Sequence, residues 1–185
     1  MPAAGSSALW LAGLKAALFT LLACNTAIYL VTGEPGQALD STAWLTLLAL
    51  FELENRLERD ARPWIARIIR AIRLAATLAV GAAAMIYAYE NEWLDAINSA
   101  LWIAVVLLLE FEVRFPAAVA NQRLQFVAAT SALYAALAAL VLAWAWRGEW
   151  FDAYDAALWI AAFALIEMDV LRLFSREAAM PDCSA

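Results

Sequence analysis

Hydrophobic residues run through the chain in long blocks, and short segments between the blocks hold most of its charges. The blocks cover residues of about 8–32, 43–54, 68–89, 96–113, 124–146 and 153–171. A transmembrane helix needs about 20 apolar residues, so the shorter blocks reach that length only together with their flanks. This pattern predicts an all-α integral membrane protein with six transmembrane helices.

Three copies of one unit explain the spacing of these blocks. Trp44, Trp102 and Trp159 lie 58 and 57 residues apart, and the surrounding residues align without a gap. The aligned columns are Gly33/Asn91/Gly148, Tyr29/Tyr87/Trp144, Glu34/Glu92/Glu149, Asp40/Asn98/Asp155, Glu52/Glu110/Glu167 and Glu54/Glu112/Asp169. Internal repetition of this kind indicates repeated supersecondary units. We therefore predict three α-hairpins, with a period of about 57–58 residues, that form a pseudo-threefold bundle.

The predicted boundaries follow the repeat: hairpins at 1–61, 62–116 and 117–176, and a flexible cytoplasmic tail at 177–185. An Arg-rich segment, residues 63–73, precedes the apolar part of the second hairpin and has arginine at every third position at its end. Such a segment is typical of a helix lying at the membrane interface. It is equally typical of the cytoplasmic start of the third transmembrane helix, with arginines extended toward lipid phosphates.

Arginine distribution predicts the topology. Six arginines lie between residues 56 and 73, and further ones follow the fourth and sixth blocks, whereas the opposite connections carry mainly acids. Positive charge marks cytoplasmic loops, so both termini are predicted to be cytoplasmic. Eleven arginines against one lysine, with abundant alanine, suggest a bacterial protein of the inner membrane.

Composition supports a membrane protein and narrows its chemistry. Hydrophobic residues make up 66% of the chain and mean hydropathy is +0.72. The nine tryptophans suit a chain that meets membrane–water boundaries. The chain has no histidine, so the commonest haem and zinc ligand is missing. We predict no cofactor, although a divalent or monovalent cation remains compatible with the acids.

Two sets of acids stand near the ends of the second helix of each hairpin. We call the first set, near the Arg-rich side, the inner acids: Glu52, Glu54, Glu110, Glu112, Glu167 and Asp169. The second set, near the hairpin turns, we call the outer acids: Asp40, Asp95, Asp152 and Asp155. Acids in a helix's first turn stabilise its free N–H groups and dipole, which is one interpretation of the outer acids. A cation-attracting mouth is the other.

The inner acids also allow two interpretations. Glu52 precedes Arg56 by four residues, and Glu110 precedes Arg114 by four, which favours ion pairs within a helix. Asp169 precedes Arg172 by three. Such pairs would hold the cytoplasmic helix ends together. Clustered carboxylates also suit a site for hard cations, so a cation site is the competing hypothesis.

Three arginines are predicted to contact lipid phosphates: Arg67, Arg70 and Arg73. Anionic lipid headgroups are the expected partner of this stretch, rather than nucleic acid. The chain has no nucleotide-binding loop and no Ser-His-Asp set. We therefore expect a non-enzymatic membrane protein that acts as an accessory or structural subunit, or as a homo-oligomer. The alternative is a cation channel or transporter that uses the acidic rings.

Overall fold

The computed structural model describes residues 3–56 and 63–178, and within them every element is an α-helix. The helices are α1 (Ala3–Thr32), α2 (Pro35–Arg56), α3 (Pro63–Glu90), α4 (Trp93–Arg114), α5 (Pro116–Asn121), α6 (Arg123–Arg147) and α7 (Trp150–Ala178). The all-α prediction is confirmed. The predicted boundary between residues 61 and 62, and the tail from residue 179 onward, lie outside the described residues.

Proline marks the start of three helices. Pro35, Pro63 and Pro116 are the first residues of α2, α3 and α5. A proline there loses nothing, because the first N–H groups of a helix have no intrahelical acceptor and the ring presets the helical φ. Helix α5 was not predicted: its six residues follow the single non-helical residue Phe115, and the predicted boundary at 116–117 falls inside it.

Helix α3 decides between the two placements of the Arg-rich segment. It runs without a break from Pro63 to Glu90, over 28 residues. Pro63–Arg73 is therefore the first part of α3 and not a separate interfacial helix. At about 1.5 Å per residue, α3 is about 42 Å long, which exceeds the hydrocarbon core of a bilayer by about 12 Å.

Four helices of the described chain are long and apolar enough to cross a membrane. These segments are Trp10–Thr32, Trp64–Glu90, Trp93–Glu112 and Arg123–Arg147. They belong to α1, α3, α4 and α6, and they indicate a membrane protein. Helices α2 and α7 carry several acids and do not reach the same apolar content over the residues described. Six membrane spans therefore stay a prediction.

The turns after α3 and α6 use left-handed backbone, which glycine and asparagine adopt more readily than other residues. Asn91 has φ 63° and Gly148 has φ 84°. In both turns the next N–H bonds back to an aromatic residue: Glu92 to the carbonyl of Tyr87, and Glu149 to that of Trp144, each at 2.9 Å. This wide backbone bond ends a helix and satisfies a free carbonyl.

The turn after α1 has a different conformation. Gly33 lies outside the left-handed region, but a β-carbon there would stand 2.7 Å from the carbonyl oxygen of Tyr29. Glycine is needed at this turn for close approach and not for a positive φ. After each of the three turns the backbone has the same conformation, because each following helix starts with an equivalent backbone hydrogen bond. These bonds are Ala38 N–H to Glu34, Ala96 N–H to Glu92 and Ala153 N–H to Glu149, at 3.0–3.1 Å.

The chain forms two compact units, one made of Met1–Leu22 with Val141–Ala185 and the other of Ala23–Leu140. In the second unit α2 and α3 run antiparallel in contact from end to end. A β-carbon at Gly36 would stand 3.2 Å from the ring of Tyr87, and at the other end Glu54 meets Arg73. Helix α2 also reaches α4, because the rings of Trp44 and Trp102 lie 6.3 Å apart.

Burial follows the aligned columns. The buried aromatic residues include Tyr29, Tyr87, Trp144, Trp44, Trp102 and Trp159, and the buried aliphatic residues include Leu22, Val80 and Leu137. Each of these groups of three occupies equivalent positions in the sequence alignment. The interior of each unit is therefore built mainly from apolar side chains, and most charged groups lie toward the helix ends.

Candidate functional site

Glu54, one of the inner acids, pairs with an arginine of a neighbouring helix. Its carboxylate accepts a hydrogen bond from the Arg73 guanidinium of α3. The two side chains are 38% and 45% exposed, so solvent screens the pair and its contribution to stability is modest. Its structural effect is to join the end of α2 to the start of α3.

Glu110, at the aligned end of α4, pairs within its own helix. Its carboxylate lies 2.6 Å from both Nε and a terminal nitrogen of Arg114, as the four-residue spacing predicts. Both side chains are more than half exposed. Glu52 and Glu112 are half-buried. Glu54 and Glu110 thus both bind guanidinium groups, the first across helices and the second within its own helix.

The third pair of inner acids cannot be compared in the same way. Glu167 and Asp169 belong to α7, but their side chains lie outside the described part of the structure. The same holds for the side chains of Arg56 and Arg172, the predicted partners of Glu52 and Asp169. The structure therefore describes the side chains of four of the six inner acids, and the grouping of all six stays a prediction.

All four outer acids are half-buried: Asp40, Asp95, Asp152 and Asp155. Asp95 and Asp152 lie in the first turns of α4 and α7, where a carboxylate faces the positive end of the helix dipole. Gln37 occupies the same column in α2, and its side-chain oxygen accepts a hydrogen bond from the Glu34 N–H at 3.3 Å. This column therefore serves the helix start in at least one repeat.

A layer of buried polar residues next to the outer acids was missed by sequence reasoning. Thr26 of α1 and Ser41 of α2 share a hydrogen bond of 2.8 Å, and both are buried. Ser99, aligned with Ser41, has no exposed surface, and its hydroxyl has no hydrogen-bond partner within the described chain. The adjacent Asn98 side-chain oxygen is in the same situation. The Ser41/Ser99 column was visible in the alignment and was the signal for this layer.

The three arginines at the start of α3 have different surroundings. Arg73 pairs with Glu54, whereas Arg67 and Arg70 are exposed. The Nε of Arg70 donates a long hydrogen bond of 3.4 Å to the carbonyl of Ala66. The predicted set of three therefore divides into one helix-joining arginine and two that face outward.

The acids do not converge as metal ligands in the described residues. No group of three acidic or thiol side chains there has the geometry to hold an ion. Described charges instead form pairs near helix ends: Glu54 with Arg73 across two helices, and Glu110 with Arg114 and Arg147 with Glu149 (3.1 Å) locally. Chemically, such pairs can fix helix ends and set the surface charge.

No family model, curated protein or solved structure matches this chain.

Proposed function

We propose that the protein is a non-enzymatic multi-pass membrane protein that acts through helix packing, as a homo-oligomer or as a subunit of a larger membrane complex. The observation that carries this proposal is the placement of its charges. Glu54 and Glu110 are engaged by arginines at helix ends, while the interior is mainly apolar. A protein organised in this way presents packing surfaces rather than reactive groups.

We further propose that α1–α2, α3–α4 and α6–α7 are three repeated hairpins around a pseudo-threefold axis. Equivalent burial at the three tryptophan positions supports this. So do the equivalent backbone bonds at the start of α2, α4 and α7. The approach of the Trp44 and Trp102 rings, which lie 6.3 Å apart at 57° and belong to aligned residues, fits an axis between their helices.

Six membrane spans belong to this proposal. Helix α2 has 22 residues and is about 33 Å long, which matches a hydrocarbon core of about 30 Å. Its acids lie near its ends, where headgroups and water are within reach. Helix α7, with 29 residues, is also long enough to cross this core. With arginine-rich connections on one side, both termini lie in the cytoplasm and the membrane is the bacterial inner membrane.

A second candidate function is cation passage along the acidic ends. The specific observations in its favour are that all four outer acids are half-buried rather than exposed, and that the Asn98 side-chain oxygen and the Ser99 hydroxyl of α4 are buried. Polar groups at such depth usually face a bundle interior or water. They would provide oxygen ligands for a hard cation.

Oligomeric state tests the first proposal directly. The protein is purified in a mild detergent and its mass is measured by light scattering with the bound detergent subtracted. We expect either a discrete oligomer or a complex with one co-purifying partner at fixed stoichiometry. A monodisperse monomer without a partner, at all concentrations tested, would contradict the packing role.

Cation flux separates the two candidates. Reconstituted liposomes are assayed with the unchanged protein, with Glu52→Gln/Glu110→Gln/Glu167→Gln, and with Glu90→Gln as a control at the opposite helix end. The packing role predicts no flux above empty liposomes for any of them. Flux that the triple variant alters and the control leaves unchanged would establish the channel or transporter instead.

A further inference from the structure

One face of α3 carries a stripe of side chains that is basic near the start of the helix and apolar further along it. At about 100° per residue, the side chains of Arg67, Arg70, Leu74 and Leu78 fall within about 80° of one another. Leu74 and Leu78 are 62% and 66% exposed, and both arginines are exposed. The stripe therefore faces away from the protein interior along its whole length.

The opposite side of α3 carries the core. Ile69, Val80 and Tyr87 are buried, and helical geometry places them about 140–160° around the axis from Arg67. Arg73 lies beside this core face, which explains why it reaches Glu54 of α2. The basic end of the stripe thus consists of Arg67 and Arg70, and Arg73 is committed to the contact between helices.

The depth of the two arginines matches lipid headgroups. Arg67 and Arg70 follow Pro63 by four and seven residues, about 6 and 10 Å along the axis. Since α3 is about 12 Å longer than a hydrocarbon core, this part of the helix lies in the headgroup layer when α3 spans. Leu74 and Leu78 then stand about 10 and 16 Å beyond Arg67, beside acyl chains. Trp64, 51% exposed, suits the interface.

We propose that this stripe is a binding site for one anionic phospholipid, with the phosphate on Arg67 and Arg70 and an acyl chain along Leu74 and Leu78. This rests on the proposed membrane role of the protein. Two guanidiniums one turn apart offer several N–H donors to phosphate oxygens. A soluble phosphate would satisfy the arginines but leave the leucines unused, so the apolar half of the stripe selects a lipid.

The test is a titration of phosphatidylglycerol into the purified full chain in a neutral detergent, followed by native mass spectrometry. Phosphatidylcholine and inorganic phosphate are titrated in parallel. Arg67→Gln/Arg70→Gln is compared with Arg73→Gln on the same helix and with Arg147→Gln at the opposite end. We expect phosphatidylglycerol binding about thirtyfold weaker in the double variant, about fivefold per arginine. In both controls we expect binding within about twofold of the unchanged protein, since each charge contributes only near the surface it faces.

Three outcomes would overturn the inference: equal loss in Arg73→Gln, undiminished binding in the double variant, or inorganic phosphate that binds and competes as well as the lipid. Leu74→Ala/Leu78→Ala provides a second check, because it should weaken phosphatidylglycerol binding while leaving any phosphate binding unchanged. The same spectra report the oligomeric state. If the unchanged protein is an intact oligomer that does not prefer phosphatidylglycerol over phosphatidylcholine, this site alone is contradicted. If the unchanged protein is an isolated monomer that does prefer phosphatidylglycerol, the packing role alone is contradicted.

Discussion

The helix pairs α1–α2 and α3–α4 share one sequence pattern but are fastened differently. Ser41 bonds to Thr26 across the first pair, whereas its counterpart Ser99 is buried without a hydrogen-bond partner in the described chain. Glu54 at the end of α2 reaches across to Arg73 of α3, whereas Glu110 at the end of α4 binds Arg114 of its own helix. Equivalent positions thus keep their burial while their polar partners change.

The largest loss of stability should come from replacing the tryptophan that each helix pair has at the same aligned position. Trp44→Ala and Trp102→Ala each remove a buried ring from the contact between α2 and α4, and we expect each to lower the unfolding free energy by about 3 kcal/mol. Unfolding with increasing SDS in mixed micelles measures this. The double variant should lose less than the sum, because each ring is part of the other's packing. Strict additivity would show that the two rings do not depend on each other.

The turns provide the next comparison. Gly33→Ala should cost about 2 kcal/mol, because its β-carbon would stand 2.7 Å from the Tyr29 carbonyl oxygen. Gly148→Ala should cost about 1 kcal/mol, since φ is 84° there but the space around it is open. Thermal unfolding in detergent ranks the two. Asn91→Gly is the matched control and should be neutral or slightly stabilising, because it relieves the same left-handed backbone.

The two serines should respond in opposite ways. Ser41→Ala leaves the buried Thr26 hydroxyl without its partner and should cost about 1 kcal/mol. Ser99→Ala removes a buried hydroxyl that has no hydrogen bond in the described chain, and should be neutral or stabilising. SDS unfolding of both variants tests the difference.

A gain-of-contact variant sharpens the comparison of the serines. Ala84 is the position in α3 that aligns with Thr26. Ala84→Thr should therefore give Ser99 a partner and add about 0.6 kcal/mol, the usual value for a hydrogen bond between membrane helices. Stabilisation by Ala84→Thr that persists when Ser99 is alanine would mean that the gain has another origin.

The ion pairs should have small effects that depend on the salt concentration. Arg73→Gln should cost up to about 1 kcal/mol, because it removes a contact between helices, and Arg114→Gln no more than about 0.5 kcal/mol. Both pairs are partly exposed, so raising the salt concentration should shrink both differences. Unfolding free energies measured at low and high salt test this. Equal losses of stability in the two variants would show that the pair between helices contributes no more than the pair within one helix.

The helices could be predicted from the sequence because their signals are local. Apolar blocks located α1, α3, α4 and α6 to within about five residues at each end, whereas α2 begins eight residues before its block and α7 ends seven residues after its block. The Gly33/Asn91/Gly148 column lies at the turns. Helix α5 was missed because its six residues are too few to form a long apolar block, and Pro116 is the only local signal for its start. The unbroken course of α3 was left open because a basic first turn suits an interfacial helix as well as a long spanning one.

The polar contacts were harder to predict because they depend on which helices are neighbours. The four-residue spacing predicted Glu110 with Arg114, since both lie on one helix. The contact of Glu54 with Arg73 required α2 and α3 to run side by side, which no spacing specifies. Ser41 and Ser99 are identical in type and alignment, yet their partners depend on whether the facing helix offers a hydroxyl. Local pattern therefore determined positions, and tertiary neighbours determined partners.

Helix α5 keeps α6 close to α4 while the chain folds. None of its six residues is buried, and it separates the end of α4 from the start of α6 by only about 9 Å of helix. A connector this short raises the effective concentration of α6 near α4, as a tether does in linked binding modules. During folding, α6 therefore meets the helices close to α4 first, whatever side chains those helices carry.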